Sequence, residues 1–227
     1  MSIVLPETLG AASMSALADA LEREAQVWVL RGASEGVFCR GLDLETFDAD
    51  LSVEGFSSLL TRLADGAVPS VALVEGAAQG GGLGVAAACD VVLATPNARF
   101  CLPEMLFGLV PGAIWPVLRR RVSEAALCRW AKTGLSFDAE EALRLGLADE
   151  VVEASEAQAR LIVHRKALRR PSARAHARLQ ALCRASRPSS LADAIRRGAA
   201  ETAVALSEAD VIAARERFAD GDVPWET

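Results

Sequence analysis

Three consecutive glycines, Gly80 to Gly82, separate an apolar segment of strand length from an apolar segment of helix length. The segment before them, Ser70–Val74 (SVALV), predicts a buried strand, and we predict a helix over Leu83–Cys89. Glycine has no Cβ, so the backbone N–H groups of such a loop can approach a ligand closely. Because N–H groups at the start of a helix favour negative charge, the loop is a candidate site for an anion or a developing oxyanion.

A single carboxylate lies downstream in the apolar stretch LPEMLFGLV. Glu104 follows Pro103 there, and leucine, methionine and phenylalanine flank it. Burial among such side chains disfavours the charged form, so we expect the pKa of Glu104 to be raised toward neutral pH. A carboxyl group with such a pKa suits general acid and base catalysis. The alternative interpretation is a carboxylate that interacts with the dipole at a helix N-terminus.

Apolar runs of strand length alternate with helical patterns in the first half of the chain. Val27–Leu30, the SVALV segment and Val91–Ala94 predict buried parallel strands joined by right-handed crossovers. Gly32–Gly41 is predicted to be a loop, and the chain after Arg99 to be helical. The other predicted helices are Ser13–Glu24 capped by Ser13, Gly55–Leu63, Arg119–Lys132, Ala139–Leu145 stopped by Gly146, Ser155–Arg169, a basic helix ended by Pro188, and Leu191–Ala219.

Composition excludes several classes of function. The 227 residues carry a net charge of −6, which gives no global attraction to nucleic acid or to an anionic membrane. No apolar run has the length of a membrane span, and the sequence does not begin like a signal peptide, so we expect a cytoplasmic protein. The five cysteines lack metal-ligand spacing and are expected to be reduced and mostly buried. With only two histidines, a three-histidine metal site is impossible within one chain, and no metal, nucleotide or redox cofactor is implied.

The stretch from Val68 to Val152 closely resembles the crotonase (enoyl-CoA hydratase/isomerase) superfamily. The resemblance rests on PSVALVEGAAQGGGLGVAAACDVVLATPNARF, CLPEMLFGLVPG and LSFDAEEALRLGLADEVV. It implies an α/β fold in which ββα units form a spiral core over residues 1–154, followed by a C-terminal helical trimerisation region over residues 155–227. It also implies a homotrimer or hexamer. Only Ile3–Leu5 remains of the strand pair with which family members begin, so either the sheet is trimmed there or the match is out of register.

The resemblance assigns roles to particular residues. The backbone N–H groups of Gly81 and of Leu42, within the segment VFCRGLDL, would hold the enolate oxygen of an acyl thioester, and Glu104 would move the proton. Without the resemblance, a triple glycine is more often only a tight turn between strand and helix. The residues expected to bind substrate are Gly80, Gly82, Arg40, Gly112 and Trp115.

For several positions a structural role is the alternative to a role in the site. Arg40 either contacts a substrate carboxylate or is simply exposed, and the second is favoured. Trp115 either covers the acyl group or belongs to the core. Asp43 and Glu45 follow the same loop as Leu42, and a structural role in a turn is favoured for Asp43. Core positions are predicted for Trp28, Phe100 and Trp130, a local backbone bond for Asp90, and a surface turn for Asp149 and Glu150.

Gly84 is a departure from the family pattern, because typical hydratases carry a second glutamate at this position. One carboxylate suits chemistry with a single mobile proton. The resemblance then favours the dehydratase of polyketide β-branching cassettes, which acts on 3-hydroxy-3-methylglutaryl carrier protein; GGGLG, LPEMLFGLVPGAIWPVLRRRV and FADGDVPWE match its pattern. The alternatives are a β,γ-to-α,β enoyl-thioester isomerase and a non-catalytic homologue that binds a partner. A decarboxylase is disfavoured, because such enzymes tend to lack an acid at the Glu104 position.

The acyl carrier is either coenzyme A or the phosphopantetheine arm of an acyl carrier protein. The segment Leu5–Thr8, matched to the family's early loop, has no Lys or Arg for nucleotide phosphates, which weakly favours a carrier protein. A basic cluster in the C-terminal half would attract such an acidic partner, although a solvated helix face or ion pairs between subunits are somewhat favoured for it. Its members are Arg165, Lys166, Arg169, Arg170, Arg174 and Arg178.

Overall fold

The chain forms two β-sheets and adds strands to them alternately along its sequence. A computed structural model describes residues 1–43, 49–187 and 189–220, with the backbone alone described at 49–54 and 219. In these residues the first sheet is parallel, with strand order β1-β2-β4-β6-β9. Its strands are Ser2–Leu5 (β1), Trp28–Gly32 (β2), Ser70–Val74 (β4), Val91–Ala94 (β6) and Glu150–Val151 (β9).

In the second sheet, β3, β5 and β7 each come directly after a strand of the first sheet, namely β2, β4 and β6. Its order is β3-β5-β7-β8, parallel except for the last pair. The chain therefore adds one strand to each sheet and then a helix, and it repeats this step as a spiral. This confirms the predicted α/β fold of ββα units. The strands are Val37–Cys39 (β3), Ala77–Gln79 (β5), Arg99–Cys101 (β7) and Phe137–Asp138 (β8).

Helices cover the sheets, and the C-terminal part of the described chain is entirely helical. The helices of the first part are Ala11–Glu22 (α1), Ala49–Asp65 (α2), Gly81–Ala88 (α3), Trp115–Leu118 (α4), Glu124–Thr133 (α5) and Ala139–Arg144 (α6), with a 3-10 turn at Glu104–Phe107. Those of the second part are Ala154–Leu168 (α7), Ala173–Ala185 (α8), Leu191–Leu206 (α9) and Ala209–Ala219 (α10). None of the described helices is long and apolar enough to span a bilayer.

The three predicted strands are present, and the long apolar runs explain why. Every residue of β4 is buried, as expected for a parallel strand with both faces covered. α1 buries Met14, Leu17 and Leu21, which are spaced three and four residues apart on one face. Trp28, Phe100 and Trp130 are buried in the core as predicted.

Several sequence predictions were wrong in detail. Ser13 does not cap α1; Gly10 is the cap residue, and the Ser13 hydroxyl accepts from its N–H at 3.0 Å. The predicted helix Arg119–Lys132 begins too early, because α4 ends at Leu118, the chain turns after it, and α5 begins only at Glu124, where Ser123 caps it. The predicted helical region Leu191–Ala219 is present and consists of two helices, α9 and α10.

Short strands account for the remaining errors. β3 lies inside the segment predicted to be a loop, β7 begins the segment predicted to be helical, and β5, β8 and β9 were not predicted. These strands have two or three residues each, too few to show a periodicity of two. Glu150 consequently belongs to strand β9 and not to a surface turn. Glu45, Pro188 and the Pro224-Trp225 pair lie outside the described residues.

The C-terminal helices pack back onto the body that the spiral forms. Leu191 and Ile195 of α9 belong to the main core cluster, and α9 contacts α2 and α4. α10 lies against the 3-10 turn, where the ring of Phe218 meets that of Phe107 edge to face at 5.0 Å. Residues of α9 and α10 therefore cover the region that follows β7.

Candidate active site

Three neighbouring parallel strands of the second sheet end at the same edge and deliver the candidate residues there. β3 is followed by Arg40 to Leu42, β5 by Gly80 and Gly81, and β7 by Pro103 and Glu104. Carboxyl ends of adjacent parallel strands lie side by side, and ligands bind there in many α/β proteins. The sheet order β3-β5-β7 therefore brings together segments that are up to 64 residues apart in sequence.

The glycine loop has a backbone conformation that other residues avoid. Gly80 has φ +49° and ψ −121°, and its N–H donates to the Cys101 carbonyl at 3.0 Å, which ties the loop to β7. A Cβ built on Gly82 would lie 2.0 Å from the Cys39 carbonyl oxygen, so only glycine lets α3 approach β3 this closely. Gly82 thus serves packing and does not line the pocket described below.

Two backbone N–H groups lie close together beside this loop. The Gly81 amide belongs to the first turn of α3, where N–H groups have no carbonyl partner within their own helix. Leu42 forms a parallel bridge with Leu9 that uses the N–H groups of Leu9 and Asp43 and leaves the Leu42 N–H outside the bridge. A Cβ built on Gly81 would lie 3.4 Å from the Leu42 nitrogen. The two amides are therefore neighbours, as an oxyanion hole requires.

Glu104 begins the 3-10 turn and places its carboxyl group against the glycine loop. A Cβ built on Gly80 would lie 3.0 Å from Glu104 Oε1. The residue as a whole is only partly buried, but Oε2 is inaccessible to solvent and finds no hydrogen-bond partner among the described residues. This burial raises the pKa of Glu104 to about 7, and its own backbone N–H offsets the effect in part. The expected raised pKa is thereby supported by the geometry.

A cavity of about 90 Å³ joins the two amides to the carboxyl group. Its walls are mostly apolar, and Arg40 is the only cationic side chain among the described lining residues. Water is poorly held by such walls, so charges inside interact more strongly than in solution. The lining residues are Arg40, Leu42, Phe56, Gly80, Gly81, Pro103, Glu104, Phe107, Leu109, Val110, Pro111, Gly112, Ala113, Ile114, Thr202 and Leu206.

Helix α9 completes the pocket from the same chain. Thr202 and Leu206, one turn apart, line it, and the Thr202 hydroxyl lies 2.9 Å from the Val110 carbonyl oxygen, to which it donates. The backbones of Gly112 and Gly198 touch, since a Cβ on Gly112 would lie 1.9 Å from the Gly198 carbonyl oxygen. Sequence reasoning missed the α9 contribution, because nothing in a helical pattern shows which distant loop it will cover.

Six of the eight predicted site residues line this one pocket, and two do not. Gly82 packs against β3, and Trp115 borders a neighbouring groove on the far side of Val110–Gly112. Trp115 begins α4, and the preceding residue, Ile114, faces the pocket in its place. Trp115 is partly buried and packs against the core, which fits the second of its two interpretations.

The other acidic residues have structural partners. Asp90 accepts hydrogen bonds from the N–H (2.8 Å) and the hydroxyl (3.2 Å) of Ser70, as the prediction of a local backbone bond implied. Asp149 accepts from the Val92 N–H at 2.6 Å and pairs with Arg121. The Asp43 N–H donates to the Leu9 carbonyl at 3.1 Å as part of the parallel bridge, and the turn role expected of its side chain stays a prediction. No group of three potential metal ligands occurs within residues 1–43, 49–187 and 189–220.

Comparisons with known proteins identify a family and several relatives. The sequence model of the enoyl-CoA hydratase/isomerase family matches residues 6–224. Carnitinyl-CoA dehydratase from Proteus mirabilis is 40% identical over 139 residues, which are 58% of this chain and 52% of that protein. The namesake from Salmonella typhi is 38% identical over 141 residues, 59% and 53% of the two chains. The chain thus spans about half the length of the curated relatives it matches.

Solved structures extend the similarity over the whole chain. An enoyl-CoA hydratase from Mycobacterium avium subsp. paratuberculosis superposes with a TM-score of 0.85 at 27% identity, covering 100% of this chain and 94% of that one. A protein described as a polyketide biosynthesis enoyl-CoA hydratase from Bacillus subtilis gives 0.85 at 23% identity over 97% and 94%, which shows the fold alone. Since the family match covers nearly every residue, this chain belongs to the enoyl-CoA hydratase/isomerase family.

Proposed function

We propose that the protein is an acyl-thioester lyase of the hydratase/dehydratase type that works through an enolate. The observation that carries this proposal is the meeting of two backbone amides and one buried carboxyl group in a single apolar pocket. The dehydratase names of the two relatives support loss or addition of water as the reaction. No residue of a metal or redox centre is needed for this chemistry.

The amides of Gly81 and Leu42 would hold the thioester carbonyl oxygen. Removal of a proton from the adjacent carbon moves negative charge onto this oxygen, so hydrogen bonds that strengthen with the charge lower the barrier. Each donor of this kind contributes about 3 kcal/mol when its loss is measured. Both donors are main-chain groups, so they are fixed before the substrate arrives.

Glu104 would carry the proton. With a pKa of about 7 it is present in both protonation states near neutral pH. Its carboxylate takes a proton from Cα, the bond from Cβ to the hydroxyl oxygen breaks, and the same proton passes to the leaving hydroxide to form water. Glu104 ends as it began, and the reverse sequence adds water. Because one group serves both steps, the proton and the hydroxyl leave from the same face of the substrate.

The acyl group and its carrier are finer proposals. We propose 3-hydroxy-3-methylglutaryl carrier protein as the first substrate to test, with the distal carboxylate of the glutaryl group near Arg40, the cation of the pocket. The carrier would be phosphopantetheine on an acyl carrier protein, or coenzyme A. Isomerisation of a β,γ-enoyl thioester is the second candidate, because a single carboxylate can also move one proton between two carbons. The cavity beside Glu104 argues against a purely non-catalytic binding role.

Mass spectrometry of thioesters incubated in deuterated water tests these assignments. We would compare 3-hydroxy-3-methylglutaryl carrier protein, 3-hydroxyacyl-CoA and β,γ-enoyl-CoA, each with the wild type and with Glu104→Gln. Loss of one water that depends on Glu104 supports the dehydratase. Deuterium uptake with a shifted double bond and no loss of water would instead identify an isomerase. No change with any thioester would contradict both and favour the binding role.

A further inference from the structure

Helix α3 carries the Gly81 amide and has no polar side chain with which to hold its place. Its sequence, GGLGVAAA, contains only glycine, leucine, valine and alanine, and every one of these residues is buried. Apolar contacts have little direction and such side chains form no hydrogen bonds, so packing alone resists a shift along the helix axis only weakly. The position of the Gly81 N–H therefore depends on what holds the two ends of α3.

The guanidinium group of Arg121 holds the C-terminal end. Arg121 lies three residues after α4, and its Nε donates to the Ala87 carbonyl at 3.0 Å. Its Nη2 donates to the carbonyls of Cys89 at 2.5 Å and of Asp90 at 3.0 Å. Carbonyl groups at this end of a helix lack partners within the helix and form the negative end of its dipole, so a cationic donor suits them. The glycine loop holds the other end through the bond from the Gly80 N–H.

Arg121 is itself held in one orientation. Its Nη1 donates to the Leu147 carbonyl at 3.3 Å and to the Asp149 carboxylate at 3.1 Å. The carboxylate of Asp149 also accepts the Val92 N–H at 2.6 Å, which connects the group to β6. The side chain of Arg121 is 13% exposed. Because a guanidinium is planar and has its donors in fixed directions, these contacts determine where the end of α3 lies.

We propose that Arg121 is a positioning residue that keeps α3 at the depth at which the Gly81 N–H meets the thioester oxygen. This inference rests on the proposed function, because it concerns the oxyanion donor assigned there. The peptide dipoles of a helix lie along its axis, so a shift of α3 along that axis changes the distance from the Gly81 N–H to the oxygen directly. Eight residues make α3 about 12 Å long, so Arg121 acts from the far end and lies outside the residues that line the pocket.

Infrared spectroscopy of a bound thioester tests the positioning without turnover. The probe is S-butyryl pantetheine with carbon-13 at its carbonyl, which contains the part shared by both candidate carriers and has no hydroxyl group to lose. Hydrogen bonds to the carbonyl oxygen weaken the C=O bond, so binding to the wild type should lower the stretching frequency. Arg121→Lys keeps the charge and loses the planar fork, and we expect it to lose about half of this shift. A full shift in the folded variant would overturn the proposal.

Steady-state kinetics give a second readout, with Arg160→Lys as the matched control. Arg160 also donates through two nitrogens, to Glu150 at 2.6 and 2.8 Å, and it does not contact α3. A misplaced oxyanion donor acts mainly on the transition state, so Arg121→Lys should lower kcat and kcat/KM alike by about tenfold, whereas the control should change each by less than about twofold. Equal losses in the two variants, or a loss of stability alone, would show that Arg121 is merely structural.

Asp149→Asn carries the same test if Arg121→Lys does not fold. It removes the charge that holds Nη1 and leaves the bonds from Nε and Nη2 in place, so we expect a smaller loss of the infrared shift and a kcat about threefold lower. Wild-type values for this variant would refute the positioning role. A wild type that shows neither the infrared shift nor Glu104-dependent turnover contradicts the proposed function instead. Hydrogen exchange of the α3 amides, expected to be faster in Arg121→Lys than in Arg160→Lys, then decides whether Arg121 holds the helix.

Discussion

Replacing Glu104 by glutamine should abolish proton transfer and at the same time stabilise the protein at neutral pH. Burial raises the pKa of Glu104 from its ordinary 4.5 to about 7 in the folded state. One unit of pKa difference corresponds to about 1.4 kcal/mol, so ionisation of Glu104 lowers the unfolding free energy of the wild type by about 3 kcal/mol. Glutamine has nearly the same shape and no charge, so it does not bear this cost.

The sign of the pH dependence follows from the proton counts. Below pH 4.5 the carboxyl group is protonated in both states and contributes nothing. Between 4.5 and about 7 the folded state keeps a proton that the unfolded state has lost, so stability falls as pH rises. The unfolding free energy of Glu104→Gln should thus exceed that of the wild type by almost nothing at acid pH and by about 3 kcal/mol at pH 8. The larger difference corresponds to about 6 to 12 °C in melting temperature.

Urea unfolding of both proteins at a series of pH values measures this difference, and Glu141→Gln provides the control. Hydrogen bonds from Arg129 and Trp130 lower the pKa of Glu141, so its contribution is present at neutral pH and is lost as pH falls. Glu141→Gln should therefore lower the unfolding free energy at pH 7, and this loss should shrink toward zero as the pH falls. The trend is opposite to that of Glu104→Gln. A stability difference for Glu104→Gln that stays constant from pH 4.5 to 8 would refute the argument that the Glu104 carboxyl group is desolvated.

Four further outcomes are expected. The kcat/KM of the wild type should rise with pH through about 7 as Glu104 ionises, and Glu104→Gln should lower kcat at least about 100-fold without that rise. Gly80→Ala should cost about 1–3 kcal/mol of stability at a φ of +49° and should reduce kcat, because the new Cβ lies 3.0 Å from Glu104 Oε1. Arg40→Gln should raise KM about tenfold for a glutaryl thioester and much less for a butyryl one. If the protein is a trimer through its C-terminal helices, Leu182→Glu on α8, where Leu182 is 64% exposed, should reduce its mass in analytical ultracentrifugation.

The sequence predicts well those parts of the fold that depend on residues close together in the chain. SVALV is apolar after Ser70 and has the same bounds as β4, because a strand covered on both faces carries mostly apolar residues. Gly146 follows α6 with φ +84°, as a helix stop should, since glycine accepts that conformation without strain. The raised pKa of Glu104 was also foreseeable, because its neighbours in sequence are apolar.

The pocket was less predictable, because its walls come from contacts between distant segments. Trp115 and Ile114 are adjacent and both apolar, yet the point at which α4 begins decides that Ile114 and not Trp115 faces the cavity. Thr202 lies on a helix whose pattern shows an apolar face without showing its target. Only the family resemblance indicated Leu42 and Gly81, since the roles proposed for them belong to backbone atoms and leave no trace in side-chain chemistry.

The arrangement of the second sheet explains how such a site arises from so few chemical groups. β3, β5 and β7 are short, and each is followed at once by a segment that must leave the sheet at its carboxyl edge. The Gly80 N–H bond to Cys101 ties the middle segment to the third, and the packing of Gly82 on Cys39 ties it to the first. The distance from the two amides to Glu104 is therefore set by the main chain of three neighbouring strands. Side chains around the pocket can therefore change without moving the two amides and the carboxyl group relative to one another.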